Sequence, residues 1–459
     1  MCSIDPNSSH GVEVKKVALL TGLFAALFAA VYGLMPFHDD WCYATAPNPD
    51  FDWSQLLPSS AFWRPFDVLW GALMARMPDL FPVANRFVIV LAHTLSSLFV
   101  WTALEKIAKD KLACLTGTLF FATSSVVAAT LFNSDTINQS WSFLLGAIAL
   151  NVALGGENVS WLRWIVVNAF ILVSVLFKES GVSWLGVIPL LLYWRERNVK
   201  FLLLRAGCGA GVLMFYFILR FALMGEIAVG GEYYTLGIEP ERVITNFVIA
   251  VLLPLTQFDI LAYACEHWLF LLISIGASIV FWWCWVASSK REELGPKVML
   301  LFAMAVVFAA PHCFFKGHHP AEMHFYPVLF SGSVFVSLMP MAIERVRIRR
   351  YGLVGMLVLF ACGWYDKLSE VHKHSDRTRA LFHELEKRNI DFSKPVYFIA
   401  EADLNVKYYS VFTESAGHGL YWGKACRALN GWRDFDYHLV ATQMDVWRMP
   451  VNAQAIRIK

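Results

Sequence analysis

The chain has 459 residues, 57% of them hydrophobic and 16% charged, with 18 Trp, 36 Phe and a mean hydropathy of +0.51. This is too apolar for a soluble domain of that size and indicates a polytopic membrane protein. The net charge of +2 makes no case for a nucleic-acid partner, and nine cysteines without a CxxC pair, most inside apolar runs, indicate neither a disulfide framework nor a thiolate metal site.

The first apolar run, Val17 to Met35, follows Lys15 and Lys16 and reads as a retained helix, because it is long and lacks a small-residue cleavage motif. Directly after it comes PFHDDWCYATAPNPD, which places the paired carboxylates Asp39 and Asp40 where a membrane helix emerges into water. At about twenty apolar residues per crossing, roughly eleven spans are expected. After the first they are Ala84 to Leu104, Leu112 to Leu131, Gln139 to Leu154, Trp161 to Phe177, Gly181 to Trp194, Phe201 to Phe221, His267 to Val286, Val298 to Phe315, Tyr326 to Ile343 and Tyr351 to Trp364. The run Val243 to Phe258 is broken by Pro254 and reads as an interfacial or re-entrant piece.

Basic residues in the short loops set the orientation. Lys15, Lys16, Lys106, Lys109, Lys111, Arg163, Arg195, Arg197, Lys200, Arg205, Lys290, Arg291, Lys297, Arg345, Arg347, Arg349 and Arg350 fall on one side. The other side carries only scattered positives, chiefly Arg64, Arg76, Arg86, Lys178, Arg220, Arg242 and Lys316. The amino terminus is therefore expected in the cytoplasm, with the Asp39/Asp40 loop and the carboxyl terminus outside. From about Asp366 the composition becomes that of a soluble domain. A charged helix is expected from Ser375 to Lys387 with Ser375 as its cap. Short strands are expected at 395 to 400, 436 to 443 and 453 to 459. The expected fold is thus an all-α polytopic membrane domain, residues 1 to 365 with a first external loop at 36 to 83, followed by a small extracytoplasmic α+β domain at 366 to 459.

Residues able to carry chemistry collect on the external side. Asp39 and Asp40 either cap a following helix or repel one another, raising one pKa into the range of a general base. Arg64, in WRPF between Trp63 and Phe66, either snorkels toward headgroups or recognises phosphate, and Pro65 restricts its backbone to extended conformations. Lys178 and Glu179, in LFKESGVSW, either pair with each other in a tight turn or leave Lys178 as a second phosphate cation. Asp135, in FNSDTINQS, is a helix cap or a substrate contact. The stretch KGHHPAEMHFYP at 316 to 327 holds zinc-type ligands at no recognised metal spacing, so Glu322 and His324 are better placed as hydrogen-bond partners of a sugar or phosphate.

The order HDDW at 38 to 41, WRPF at 63 to 66, a span containing His93, KESG at 178 to 181 and EMHFYP at 322 to 327 resembles the GT-C superfamily of polyprenyl-phosphate-dependent glycosyltransferases. These include protein O-mannosyltransferases, lipid A aminoarabinose transferases and the TMTC-type mannosyltransferases, and the likeness covers residues 15 to 365. The resemblance implies an inverting transfer in which Asp39 or Asp40 deprotonates the acceptor hydroxyl. Arg64 and Lys178 would bind the donor phosphate, and His38, Asp135, Glu179, Glu322 and His324 would line the substrate site. Many relatives carry Asp-Glu where this chain has Asp-Asp. Some use a divalent metal beside the acidic motif and others none; a metal here would sit on Asp39 and Asp40. The implied partners are a polyprenyl-phosphate-linked sugar, membrane lipids and a glycan, lipid or protein acceptor, in a bacterial inner membrane. The competing readings are a flippase or transporter of lipid-linked saccharide, which needs charges deep in the bilayer and commonly an internal repeat, and a non-catalytic membrane scaffold.

Overall fold

A computed structural model describes residues 6–35, 53–57, 63–77, 79–108, 110–133, 136–156, 160–224, 237, 239–256, 291–314, 322–342, 346–400, 429–431, 433, 435–440, 450 and 452–458. The protein is mostly helical. Its α-helices are α1 (Pro6–Val31), α2 (Pro65–Ala75), α3 (Phe81–Ala108), α4 (Lys111–Thr123), α5 (Ala128–Phe132), α6 (Ile137–Leu154), α7 (Trp161–Phe177), α8 (Trp184–Glu196), α9 (Val199–Met224), α10 (Pro240–Thr256), α11 (Arg291–Cys313), α12 (Val328–Ala342) and α13 (Val346–Glu386). Among the described residues, five helical stretches are long and apolar enough to cross a membrane: Phe81–Ala108, Lys111–Phe132, Ile137–Leu154, Val199–Leu223 and Gly295–Cys313. Shorter apolar helices cover Lys16–Val31, Pro65–Ala75, Trp161–Phe177 and Val328–Leu338. Every apolar run read from the sequence coincides with helical structure except His267 to Val286, which lies outside the described residues. Pro254 does not break its run, since α10 continues through it to Thr256.

Local chemistry explains several boundaries. Pro65 opens α2, where its missing N–H costs nothing, and Arg64 before it is held outside the helical region at φ −129°, ψ 73°. Asp110 caps α4 by accepting from the Ala113 amide at 2.7 Å, and Ser160 caps α7 by accepting from that of Arg163 at 3.3 Å. After α1 the chain turns at Gly33, whose φ of +76° is the left-handed conformation that glycine adopts without strain.

The core is made by close approach of helices at small residues. A Cβ on Gly146 in α6 would lie 1.8 Å from Trp184 of α8, and one on Gly117 in α4 would lie 2.6 Å from the Ser333 carbonyl of α12. The Ser333 hydroxyl donates to the Gly117 carbonyl at 2.6 Å across the same contact. His93 of α3 is a satisfied core residue. Its Nε2 donates to the Ala122 carbonyl at 3.1 Å, its Nδ1 accepts from the Tyr326 hydroxyl at 2.7 Å, and its ring stacks on Phe121.

The helices share two polar ends. At the first, Lys16 of α1 pairs with Glu105 of α3 at 2.8 Å, Lys106 donates to the Asn151 carbonyl, and Glu196 accepts two bonds from Arg205 at 2.7 and 3.2 Å. At the opposite end, Arg86 near the start of α3 meets the chain leaving α1, and α7 turns into α8.

The last helix corrects one expectation. Ser375 was expected to cap a separate helix, but α13 is a single helix of 41 residues that runs through both Asp366 and Ser375. No Gly or Pro interrupts residues 364 to 386, and Lys, Leu, Glu and Arg there are strong helix formers, so the change to charged composition does not end the helix. At about 1.5 Å per residue it is roughly 60 Å long. It is fastened to the bundle by Trp364 Nε1, which donates to the Thr123 carbonyl at 2.8 Å, and by buried Lys367, which donates to that of Ser125 at 3.0 Å.

Beyond α13, β1 (Val396–Ala400), β2 (Tyr437–Val440) and β3 (Gln454–Ile458) lie at the three sequence-predicted strand positions. They form a parallel sheet in the order β2-β1-β3, with Phe398 opposite Leu439 and Ile456. Val396, Phe398 and Ile456 are buried. Gln454 ties β3 to the end of α13, accepting from the Asp391 amide at 2.9 Å and donating to the Asn389 carbonyl at 3.2 Å.

Candidate functional site

The site forms where α7 ends. Lys178 leaves the helix in an extended conformation, φ −154° and ψ 135°, while its amide still donates to the Ser174 carbonyl at 3.0 Å. Residues Glu179–Ser183 then make a 3₁₀ turn into α8. Gly181 makes this turn possible, because a Cβ there would lie 2.5 Å from Ser174 Oγ and 2.9 Å from the backbone of α7. The turn brings Glu179 to Arg64. Arg64 Nε and Nη2 both donate to Glu179 Oε2, at 3.1 and 2.8 Å.

The WRPF stretch is held from both sides of its arginine. Trp63 stacks on Tyr216 of α9 with centroids 6.0 Å apart and planes 10° apart, and donates through Nε1 to the Leu56 carbonyl at 3.0 Å. Phe66 stacks on Phe177, the last residue of α7, at 4.5 Å and 9°. Two aromatic stacks to two different helices leave the Arg64 backbone little freedom, and the guanidinium is directed into the bundle instead of snorkelling outward. Buried Arg220, one helical turn beyond Tyr216, donates to its hydroxyl at 3.3 Å and lies 3.8 Å from Glu179 Oε1.

From the far side, α11 contributes buried His312, whose ring centroid lies 4.8 Å from that of His324. His312 stands within electrostatic reach of His324, Lys178 and Arg64. Lys178 is itself buried. The arrangement therefore brings Arg64 and Arg220 onto Glu179, with buried Lys178 beside it in sequence and the His312–His324 pair within electrostatic reach of Lys178 and Arg64. A concentration of cationic groups in a low-dielectric setting stabilises an anion far more than the same charges in water.

Of the sequence-predicted residues, Arg64, Lys178, Glu179 and His324 come together. Glu179 contacts Arg64 and Arg220. Glu322 opens the 3₁₀ turn Glu322–Phe325 that carries His324. His38, Asp39, Asp40 and Asp135 lie outside the described residues. Arg220, Tyr216 and His312 were not singled out from the sequence, although an ionisable side chain within an apolar run is itself a signal of function.

Among the described residues, no group of three or more His, Cys, Asp or Glu side chains is placed to hold a metal ion. The described side chains around Glu179 are predominantly cations, a donor set suited to an anionic ligand. Asp39 and Asp40, the carboxylates that would hold a metal, are outside this description.

Fold and site thus define a class: a mostly helical protein, with several helices long and apolar enough for a membrane, that brings two arginines onto one glutamate at one end of its bundle. Comparison with known protein families and with curated proteins finds no match for the chain.

Proposed function

We propose that the protein is a GT-C-type glycosyltransferase. It moves a sugar from a polyprenyl-phosphate-linked donor to an envelope glycan, lipid or protein acceptor on the extracytoplasmic face of a bacterial inner membrane. The observation that carries this reading is the meeting of Arg64 and Arg220 on Glu179, next in sequence to buried Lys178, at one end of an apolar helical bundle. A lipid-linked phosphate needs such a place: cations for its headgroup beside a surface that accepts its chain.

In the reaction, one carboxylate of the Asp39/Asp40 pair takes the proton of the acceptor hydroxyl. The hydroxyl oxygen attacks the anomeric carbon, and the bond from that carbon to the phosphate oxygen breaks. Polyprenyl phosphate leaves with the electron pair of that bond. Arg64, Lys178 and Arg220 neutralise the negative charge that grows on the leaving phosphate. Glu179 acts here as the orienting partner of Arg64, a narrower role than direct contact with substrate.

The test uses full-length protein reconstituted in liposomes of bacterial lipid extract. It measures polyprenyl phosphate release from a panel of synthetic polyprenyl-phosphate sugars, including mannose and aminoarabinose. Release with at least one sugar, abolished by Asp39→Asn or Asp40→Asn, is expected. Full activity in both variants overturns the base assignment, and no release from any donor overturns the reading as a whole.

A further inference from the structure

The three residues that precede PFHDDW are held by an unusual set of contacts. Arg379 Nη2 of α13 donates to the Gly33 carbonyl at 2.7 Å. Arg86 of α3 donates through Nη1 to the Leu34 carbonyl and through Nη2 to the Met35 carbonyl, the latter at 3.0 Å. The Met35 amide donates to the Ser375 hydroxyl of α13 at 2.8 Å. Backbone groups at a helix end can be satisfied by water or by local capping. Here they are taken by side chains more than fifty, and in two cases more than three hundred, residues away in sequence.

Both supporting helices are fixed in the bundle. Arg86 is buried, and α13 is fastened by Trp364 and Lys367 to the carbonyls between α4 and α5. Asp376 accepts from Arg379 Nη1 at 2.8 Å and so orients the guanidinium whose other nitrogen reaches Gly33. The clamp thus fixes residues 33 to 35 against α3 and α13.

We propose that Ser375 and Arg379, with Arg86 as their counterpart on α3, are positioning residues for the Asp39/Asp40 loop, so that the carboxyl-terminal helix sets the geometry of the base. This rests on the glycosyltransferase reading for its catalytic consequence, though not for the clamp itself. A displacement of about 1 Å at a reacting group can cost on the order of 100-fold in rate. The expected signature is therefore a fall in turnover with donor affinity preserved, because the phosphate cations stand on other elements.

The experiment compares full-length wild type with Ser375→Ala/Arg379→Gln and with the conservative Ser375→Thr/Arg379→Lys. Hydrogen exchange of residues 33 to 41 is read beside that of α6, together with the kcat and donor KM of polyprenyl phosphate release. The disruptive pair is expected to speed exchange at 33 to 41 by about 10-fold or more and leave α6 unchanged. Its kcat should fall by about 10-fold or more with KM within about twofold, and the conservative pair should recover most of both. Unchanged exchange at 33 to 41 overturns the clamp, and faster exchange with unchanged kcat overturns its role in positioning the base. Faster exchange in α6 as well, in both variants, assigns the contacts to general stability and also overturns the proposal. If wild type transfers no sugar, the glycosyltransferase reading fails and the clamp is decided by exchange alone.

Discussion

The two ends of the helical bundle each share one carboxylate between two arginines, and they differ in how deeply the neighbouring cations are buried. At the first end Glu196 is held by both Arg195 and Arg205. Lys16 meets Glu105, whose other contact is the Trp101 indole, and Arg205 meets both oxygens of Glu196 while lying over the Trp164 ring. At the other end Glu179 is shared between Arg64 and Arg220, with Lys178 next to it and His312 and His324 beyond. Lys106, near Arg195 at the first end, is exposed, whereas Lys178 and Arg220 at the second are buried, and buried cations act on an anion through a lower effective dielectric.

Predictions that separate the ends run from large to small. Arg64→Gln is expected to lower sugar transfer by about 100-fold or more, since it removes a charge-assisted donor from a developing anion. Arg64→Lys keeps the charge but loses the planar fork, and should fall between that variant and wild type in the same release assay. An unaltered rate in Arg64→Gln would break the contrast at its strongest point.

Gly181→Val acts through the backbone. Its Cβ would stand 2.5 Å from Ser174 Oγ, so the 3₁₀ turn must shift and carry Glu179 with it. A loss of about 1–3 kcal/mol in stability is expected, read by thermal unfolding in detergent, together with reduced transfer. At the opposite end, Glu196→Gln removes the shared partner of Arg195 and Arg205. It should cost about 1–3 kcal/mol in the same unfolding assay but leave the donor KM and kcat near wild type. Loss of activity in proportion to loss of stability in both variants would show that the two ends do not differ in kind.

The smallest effect concerns the turn after α13. Bonds from Lys394 and from the Ser393 hydroxyl and amide hold the Asp391 carboxyl down at about 2, below its ordinary value near 4. A depressed carboxylate contributes stability that is complete above its unfolded pKa and lost as pH falls through its folded one. Wild type should therefore lose order in residues 389 to 394 between about pH 4 and pH 2. Asp391→Asn should show little further pH dependence over that window by hydrogen exchange.

The sequence made some of this legible and hid the rest for identifiable reasons. Helix positions follow from apolar runs because burial in hydrocarbon or in a helical core demands them, and the non-helical backbone at Arg64 follows from Pro65, although its ψ of 73° falls short of the extended range expected. The strands at 396 to 400, 437 to 440 and 454 to 458 were visible as short β-branched and aromatic runs. The continuity of α13 was not, because a switch from apolar to charged residues marks a change of environment and carries no instruction to stop a helix. For that reason Ser375 looked like a cap when its hydroxyl instead receives the Met35 amide from the far end of the chain. The contact of Glu179 with Arg64, 115 residues away, is not visible in the sequence because it depends on the turn that Gly181 allows against Ser174. Arg220 and His312 are single ionisable residues inside long apolar runs, where a hydropathy window averages them away.

The most direct measurement of the central claim is equilibrium binding of polyprenyl phosphate to the protein in nanodiscs of neutral lipid. Wild type should bind it saturably. Arg64→Gln/Lys178→Gln should weaken binding by about 10-fold or more, while Arg205→Gln, at the first end, should leave it within about twofold. Equal weakening at both ends, or undiminished binding when Arg64 and Lys178 are both neutralised, would contradict the assignment of the Glu179 cluster as the lipid-phosphate site.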